Sequence, residues 1–452
     1  MLRLVFAVLA LVVPAAVLAQ TPPLTVSEDG RSLRAGDHSF FWLGDTGWLM
    51  LSRLDRAETE YYLRTRSEQG FNVIQVMILH KPDMATVDGT PALIDGDPAR
   101  PYLTPGNDPD DRSEYDYWDH LDWALQVAER YGIYLALVPA WGDIADDGIL
   151  NEETAKAYGD FLGKRYRDRT NIVWINGGDT LGASNSRTWS VLGRTLKRYN
   201  PDRLMTFHPR GRTDSSWWYH RAPWLDLNMF QSGHSSYAQD PDGRGEDNWS
   251  YVLEDWARVP AKPVIDGEPS YENMPHGLDY PDAPRWQAAD VRRYVWWAVL
   301  SGACGHTYGD NDVMQMLVPG RYPPAFSANQ RWDEALKAPG AGQMRYVKEL
   351  MLSLGLDGRV PDAGLVVDNG TGYDRIPVLR GPDYVLAYVY NGREFTLRLG
   401  AIAGEHIESS WYSPRDGEFV PGDSLRNSGE VRFDPPGDAA PGNDWVLMLR
   451  MN

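Results

Sequence analysis

Between Phe40 and Tyr308, short apolar runs alternate with longer stretches in which apolar residues recur at helical spacing. That is the pattern of strands alternating with helices in an α/β fold. Eight runs read as strands: Phe40–Leu43, Asn72–Leu79, Ile133–Pro139, Ile172–Ile175, Leu204–His208, Leu225–Phe230, Pro263–Ile265 and Ala303–Tyr308. The helical segments between them have recognisable ends. Asp55 with Glu58 three residues on forms a capping-box pattern, and the helix it starts closes at Gly70. Further helices are predicted around Trp118–Tyr131, Glu153–Arg167, Arg187–Tyr199, Tyr251–Ala257, Ala288–Leu300 and Ala341–Leu354. Eight strands separated by helices predict a (β/α)8 TIM barrel over residues 20–358. A doubly wound sheet would need a glycine-rich phosphate turn after its first strand, and Gly44-Asp45-Thr46-Gly47 lacks the GxGxxG spacing.

Two polar insertions, Lys81–Arg112 and Ser235–Asn248, fall after predicted strands and are expected to wall a cleft at the strands' C-terminal ends. Beyond Pro361 the texture changes to short β-type runs, Ala363–Val367, Tyr384–Tyr390, Thr396–Leu399, Val431–Phe433 and Trp445–Leu449, which predict a small C-terminal β-sandwich over 359–452. At the other end, residues 1–19 carry a basic Arg3, an apolar run and the small-residue ending Val17-Leu18-Ala19. They read as a secretory signal cleaved near Ala19, so the mature chain is expected to be secreted or periplasmic, with no stable membrane association.

Charge and composition narrow the partners. The formal net charge is −19 and no basic run interrupts it, so nucleic acid and anionic membrane lack the electrostatic footprint they need. Eighteen tryptophans and 24 tyrosines supply broad aromatic faces of the kind on which sugar rings stack, beside those that anchor the core. The only cysteine, Cys304, has no partner for an intrachain disulfide. The sequence leaves oligomeric state open.

In a barrel enzyme the working groups sit just past the apolar runs, at the C-terminal face. The polar and aromatic residues there are Asp45, Trp48, His80, Trp141, Asp179, His208, Gln231, His234, Glu268, Tyr271, His306 and Tyr308. Asp179 ends the fourth strand in "VWINGGD" and Glu268 follows the seventh in "KPVIDGEPSYE". A carboxylate pair across a barrel mouth can flank one glycosidic bond, one group protonating the leaving oxygen while the other attacks or activates water. Asp266 is placed by period two on the same face as Glu268 but deeper, in a structural role. His208, His234 and His306 are candidates to bond Glu268 or sugar hydroxyls, and Trp48, Trp141 and Tyr308 to stack on sugar rings. No HExxH or close His-x-His pair appears, and Gly309-Asp310-Asn311-Asp312 lacks the later acid of a calcium loop, so neither a catalytic metal nor a cofactor is expected.

The segments "FFWLGDTGWLMLSRL", "GFNVIQVMIL", "VWINGGD", "KPVIDGEPSYE" and "WWAVLSGACGHTYGDNDVMQM" follow one another from Phe40 to Met316. Together they resemble the apiosidase-like glycoside hydrolases, glycoside hydrolase family 140. "WYSPRDGEFV", Trp411–Val420, is similar to the small β-sandwich that often follows that catalytic domain and carries a collagen-binding label. The resemblance implies a (β/α)8 hydrolase of plant cell-wall glycans that releases side chains attached through apiose in the pectin rhamnogalacturonan II, with Asp179 as acid/base and Glu268 as nucleophile. The related barrels usually place Asn-Glu where this chain has Gly178-Asp179, so its acid is one methylene, ~1.5 Å, shorter. Gly177 and Gly178 would let the main chain adopt positive φ and approach the ligand. The alternatives are an endo-glycanase acting on a pyranose backbone and a non-catalytic glycan-binding protein.

Overall fold

The computed structural model describes residues 21–240, 244, 246–278 and 282–451, so the predicted signal segment lies outside the described residues. After a three-stranded antiparallel sheet at the N-terminus, eight parallel strands follow: β1 (Trp42–Thr46), β2 (Val73–Met77), β3 (Tyr134–Val138), β4 (Ile172–Thr180), β5 (Met205–Pro209), β6 (Asn228–Gln231), β7 (Val264–Asp266) and β8 (Gly305–Tyr308). Continuous pairing runs β8-β1-β2-β3-β4-β5, and β6 pairs with β7. Asp226 N donates to Met205 O (2.8 Å) and Cys304 N to Val264 O (2.9 Å). Those two bonds join β6 to β5 and β7 to β8, closing the barrel. Each predicted strand has its counterpart, displaced by a few residues at the ends.

The alternation of side chains along each strand separates two cores. Trp42, Val73, Met77, Tyr134, Ala136, Val138, Val173, Ile175, Met229 and Ile265 fill the interior. Ile74, Val76, Leu135, Leu137, Trp174, Met205 and Phe207 point outward to the helices α1 (Arg56–Glu68), α2 (Tyr117–Arg130), α3 (Glu152–Arg165) and α4 (Ser186–Tyr199). Helix ends follow local chemistry: Asp55 accepts from Glu58 N (2.8 Å) while Glu58 Oε2 accepts from Asp55 N (3.2 Å), the reciprocal pair of a capping box.

The last helices, α5 (Asn248–Trp256), α6 (Ala288–Leu300) and α7 (Pro339–Leu354), connect the barrel to the C-terminal domain. There a six-stranded antiparallel sheet faces a two-stranded one. Its strand Tyr384–Val389 is buried along its whole length. Tyr384, Leu386 and Tyr388 pack among residues of α6 and α7, whereas Val385, Ala387 and Val389 enter the domain's own core. Arg292 on α6 and Asp444 form a buried ion pair (2.8 Å) across the junction. Within this domain the apolar run Ala363–Val367 is not a strand. Leu365 N turns back to Asp362 O (3.1 Å), giving a 3-10 turn. Strands His406–Tyr412 and Phe419–Arg426 form by pairing at the sheet's margin, without an apolar pattern of their own.

Candidate functional site

The site is set by an irregularity in β4. Gly177 pairs with His208 and Thr180 with Pro209, so Gly178 and Asp179 have no partners between them and bulge from the ladder. Three consecutive residues take positive φ: Gly177 (+84°), Gly178 (+118°) and Asp179 (+49°). Aspartate tolerates that region better than most residues. The glycines are required by neighbouring protein. A Cβ on Gly177 would stand 2.5 Å from His208 O, and one on Gly178 would stand 2.3 Å from Trp141 Cε3. The bulge turns the Asp179 carboxyl into a cleft of about 490 Å³ at the C-terminal ends of the strands.

Glu268 enters from the exit of β7. Asp266 is the last strand residue, and its carboxylate faces the helix layer, accepting from Ser232 Oγ (2.7 Å) and Asn248 Nδ2 (3.2 Å). Strand alternation ends there, so Asp266 and Glu268 do not share a face, contrary to the period-two expectation. Gly267 makes the turn close to β6, where an added Cβ would meet Met229 Sδ at 2.5 Å. Gln75 Nε2 donates to Gly267 O (2.7 Å) and anchors it.

Two imidazoles hold the Glu268 carboxylate. His234 Nε2 is hydrogen-bonded to Oε1 (3.0 Å). His208 Nε2 lies 3.0 Å from Oε2, close enough to pair with the carboxylate when the imidazole is protonated. Burial alone would raise the Glu268 pKa; the contacts and charge of His208 and His234 outweigh it and hold the group at about 2. Burial likewise opposes protonation of His208, but Glu268 and Asp179 raise it above the ordinary imidazole value. Asp179 is open to the cleft on one side and ringed by protein on the others. Desolvation by those walls, then the Glu268 charge, push its carboxyl up to about 6. Side-chain donor atoms of Asp179, His208 and Glu268 lie within 4.8 Å of one another. The arrangement supplies one carboxyl that is readily protonated and one held ionised, a proton donor beside a nucleophile or base.

The other sequence-derived candidates divide by strand phase. Trp48, His80, Trp141, Gln231 and His234 line the cleft with Asp179 and Glu268. Tyr271 is buried behind this wall and accepts from Trp48 Nε1 (3.0 Å). Three residues lie elsewhere. Asp45 points outward from β1 and is buried against α1, bonded to Arg66 Nε and Tyr62 Oη, each at 2.6 Å. Tyr308 points outward from β8 and donates to Glu272 Oε2 (2.7 Å). His306 shares that phase and is buried, with desolvation lowering its pKa to about 3. Their inward neighbours are Gly44 and Thr307, which pack on Trp42.

The cleft walls also differ from expectation. None of Lys81–Arg112 lines the cleft; that insertion folds onto α2, where Trp118 Nε1 donates to Ala92 O (3.0 Å) and Leu93 joins the core. Among the described residues of the 235–248 insertion, only Ser235 reaches it. The segment after β8 contributes Met314, Gln315, Ala325 and Phe326, and Arg53, Arg210 and Arg212 add a basic rim. Arg210 follows directly on the His208-Pro209 strand end, the position at which polar residues mark a barrel's working face. Nothing in the residue pattern marked Phe326 or Arg53.

The described residues include no helix long and apolar enough to cross a membrane. Comparison with known proteins gives two family matches. Residues 27–357 match the family described as "Apiosidase-like, catalytic domain", and residues 360–450 match "Putative collagen-binding domain of a collagenase". A solved structure titled "Glycoside hydrolase" is 40% identical, with TM-score 0.89 over 95% of this chain and 97% of that one. A glycoside hydrolase family 5 structure from Bacteroides vulgatus ATCC 8482 is also 40% identical, with TM-score 0.89 over 95% of this chain and 93% of that one. Among curated proteins, no match is found.

Proposed function

We propose, from the premise that this chain belongs to the apiosidase-like family and is a glycoside hydrolase, that it removes side chains from a pectic glycan by a retaining double displacement. The observation that carries the reading is the Asp179–Glu268 pair, with one carboxylate oxygen of each within 4.8 Å of the other and opposed protonation preferences. Retaining glycosidases hold their carboxyls ~5–5.5 Å apart and inverting ones ~6.5–9.5 Å, the latter leaving room for a water. In the first step Glu268 attacks the anomeric carbon as Asp179 gives its proton to the departing glycosidic oxygen. In the second, Asp179 takes a proton from water, the water oxygen bonds to the anomeric carbon, and the ester to Glu268 breaks.

Apiose linked to a uronic-acid backbone, as in rhamnogalacturonan II, is the substrate class the family suggests. Two features of the cleft favour it: Arg53 and Arg210 line the site and can meet a uronic-acid carboxylate, while Arg212, also in the lining, is paired with Asp240 (2.6 Å). The proposed role also assumes export through the signal expected at residues 1–19. Rhamnogalacturonan II oligosaccharides incubated with the enzyme and followed by anomer-resolving NMR test the reading. Released sugar that first appears with the substrate's anomeric configuration is expected. The opposite anomer would refute the double displacement. Cleavage confined to a pyranose backbone would make the protein an endo-glycanase, and no release from any glycan would leave a binding protein.

The two carboxyls also predict the pH profile. kcat/KM needs Glu268 ionised and Asp179 protonated, so activity should extend through the acidic range and fall as pH rises through about 6, the value to which Asp179 is pushed. Initial rates across pH 3–8 check this. A profile still rising at neutral pH contradicts the assignment of Asp179 as the acid.

A further inference from the structure

The backbone of His234 is tied to the barrel by Gly233 N donating to Glu268 O (3.2 Å) and Gly277 N donating to His234 O (2.8 Å), and the loop that continues from it meets the C-terminal domain at Tyr237 and Trp249. Three residues past His234, the backbone N–H of Tyr237 donates to Glu246 Oε1 (3.1 Å). Glu246 has no solvent exposure and forms an ion pair with Arg293 of α6. The third partner comes from the C-terminal domain: Tyr373 Oη is 2.8 Å from Glu246 Oε1 and 3.1 Å from Oε2. The rings of Tyr373 and Tyr237 meet edge-on with centroids 5.3 Å apart. Just beyond Glu246, Asp247 accepts from Tyr237 Oη (2.6 Å) and Trp249 Nε1 (2.9 Å), and Arg375 of the C-terminal domain covers the Trp249 ring at 3.3 Å.

We infer that Tyr373 is a positioning residue for hydrolysis: acting through Glu246 and Tyr237, it fixes the loop that aims His234 at Glu268. The C-terminal domain thereby completes the active site without touching substrate. The inference rests on reading Glu268 as the nucleophile. Its physical basis is the cost of a buried carboxylate with an unfilled acceptor site. Without the Tyr373 hydroxyl, Glu246 must find another donor or let in water, and the Tyr237 backbone that shares it is released. His234 keeps its backbone bond from Gly277, but its ring loses the support of the Tyr237 side of the loop, which loosens the 3.0 Å contact of Nε2 with Glu268 Oε1. The groups that set Glu268's ionisation are His208 from β5, His234 from this loop and Asp179 from β4, with Tyr271 beside them. Weakening one of the two imidazole contacts favours the neutral acid.

The test uses the full chain with Tyr373→Phe, which keeps the ring, and His234→Gln as the reference for a lost imidazole. Hydrogen exchange of the 232–240 peptide, melting temperature, and kcat and KM across pH on the wild type's own oligosaccharide substrate are measured. For Tyr373→Phe we expect faster exchange at 232–240 and a melting temperature within about 2 °C of wild type. We also expect kcat to fall roughly tenfold with KM within about twofold, and the acidic limb of kcat/KM to rise by about one pH unit in the direction shown by His234→Gln. Unchanged exchange, or faster exchange with an unmoved acidic limb, overturns the inference. Failure of the nucleophile assignment is read separately, as retained activity in Glu268→Gln, while the exchange data still report on the brace.

Discussion

Glu268→Gln lowers kcat by about four orders of magnitude while the protein stays folded. The amide has the shape of the carboxylate, so the substitution removes the nucleophilic charge and little else. The residue is only 6% exposed, and its oxygens face His208 and His234 at 3.0 Å each. An amide can accept from one ring and donate to the other once that imidazole changes tautomer, so the local bonds have a route to repair. The stability change should therefore stay within about 1–2 kcal/mol, seen as a small shift in denaturation midpoint beside the collapse in turnover. Glu268→Ala adds a stereochemical readout. With azide supplied as the external nucleophile, a glycosyl azide of inverted configuration is the product of a single displacement assisted by Asp179. Turnover of Glu268→Gln within tenfold of wild type would remove Glu268 from the mechanism.

Gly178→Ala is expected to damage both folding and catalysis. Two costs combine: a side chain forced to φ +118° and a Cβ placed 2.3 Å from Trp141 Cε3. Together they amount to roughly 2–4 kcal/mol, enough to lower the melting temperature by roughly 3–6 °C in a barrel of this size. Trp141 also lines the cleft and packs edge-on against Trp48 with ring centroids 5.5 Å apart, so a shift that relieves the clash moves a cleft wall as well as Asp179. A displacement near 1 Å at the acid is worth about a hundredfold in rate. Activity per folded molecule should fall by that order, whereas a variant that melts and turns over like wild type would show that the bulge has another geometry. Asp179→Asn is a useful contrast, because asparagine accepts the same positive φ and should lose turnover without the folding defect.

The barrel was legible because each strand is a short apolar run followed by polar residues, and Asp179 and Glu268 were legible as acids at the ends of such runs. Phase was not. Asp45, His306 and Tyr308 occupy the same kind of position yet face helices, because Gly44 and Thr307 take the inward places beside Trp42. On β7 strict alternation misled in the opposite sense, since the strand stops at Asp266 before Glu268 is reached. The β4 bulge was only half visible. The glycines announced positive φ, but that they avoid His208 O and Trp141 depends on contacts distant in sequence. In the C-terminal domain, Phe419–Arg426 contains Pro421 and Gly422 and is exposed almost throughout, so nothing local distinguishes it from a loop. It is a strand because His406–Tyr412 pairs with it.

The same domain shows what its sheet is free to grip. A module that tethers an enzyme to a polymer commonly offers the broad face of a sheet. Here the central strand Tyr384–Val389 has α6 and α7 on one side and the two-stranded sheet on the other. Open to solvent are the margin, Phe419–Arg426 with the exposed Phe419 and Val420, and the outer side of the two-stranded sheet, where Arg398, Glu430 and Arg432 are exposed. In mechanical terms the tail is a keel for the barrel, seated on α6 and α7 and pinned by the Arg292–Asp444 pair.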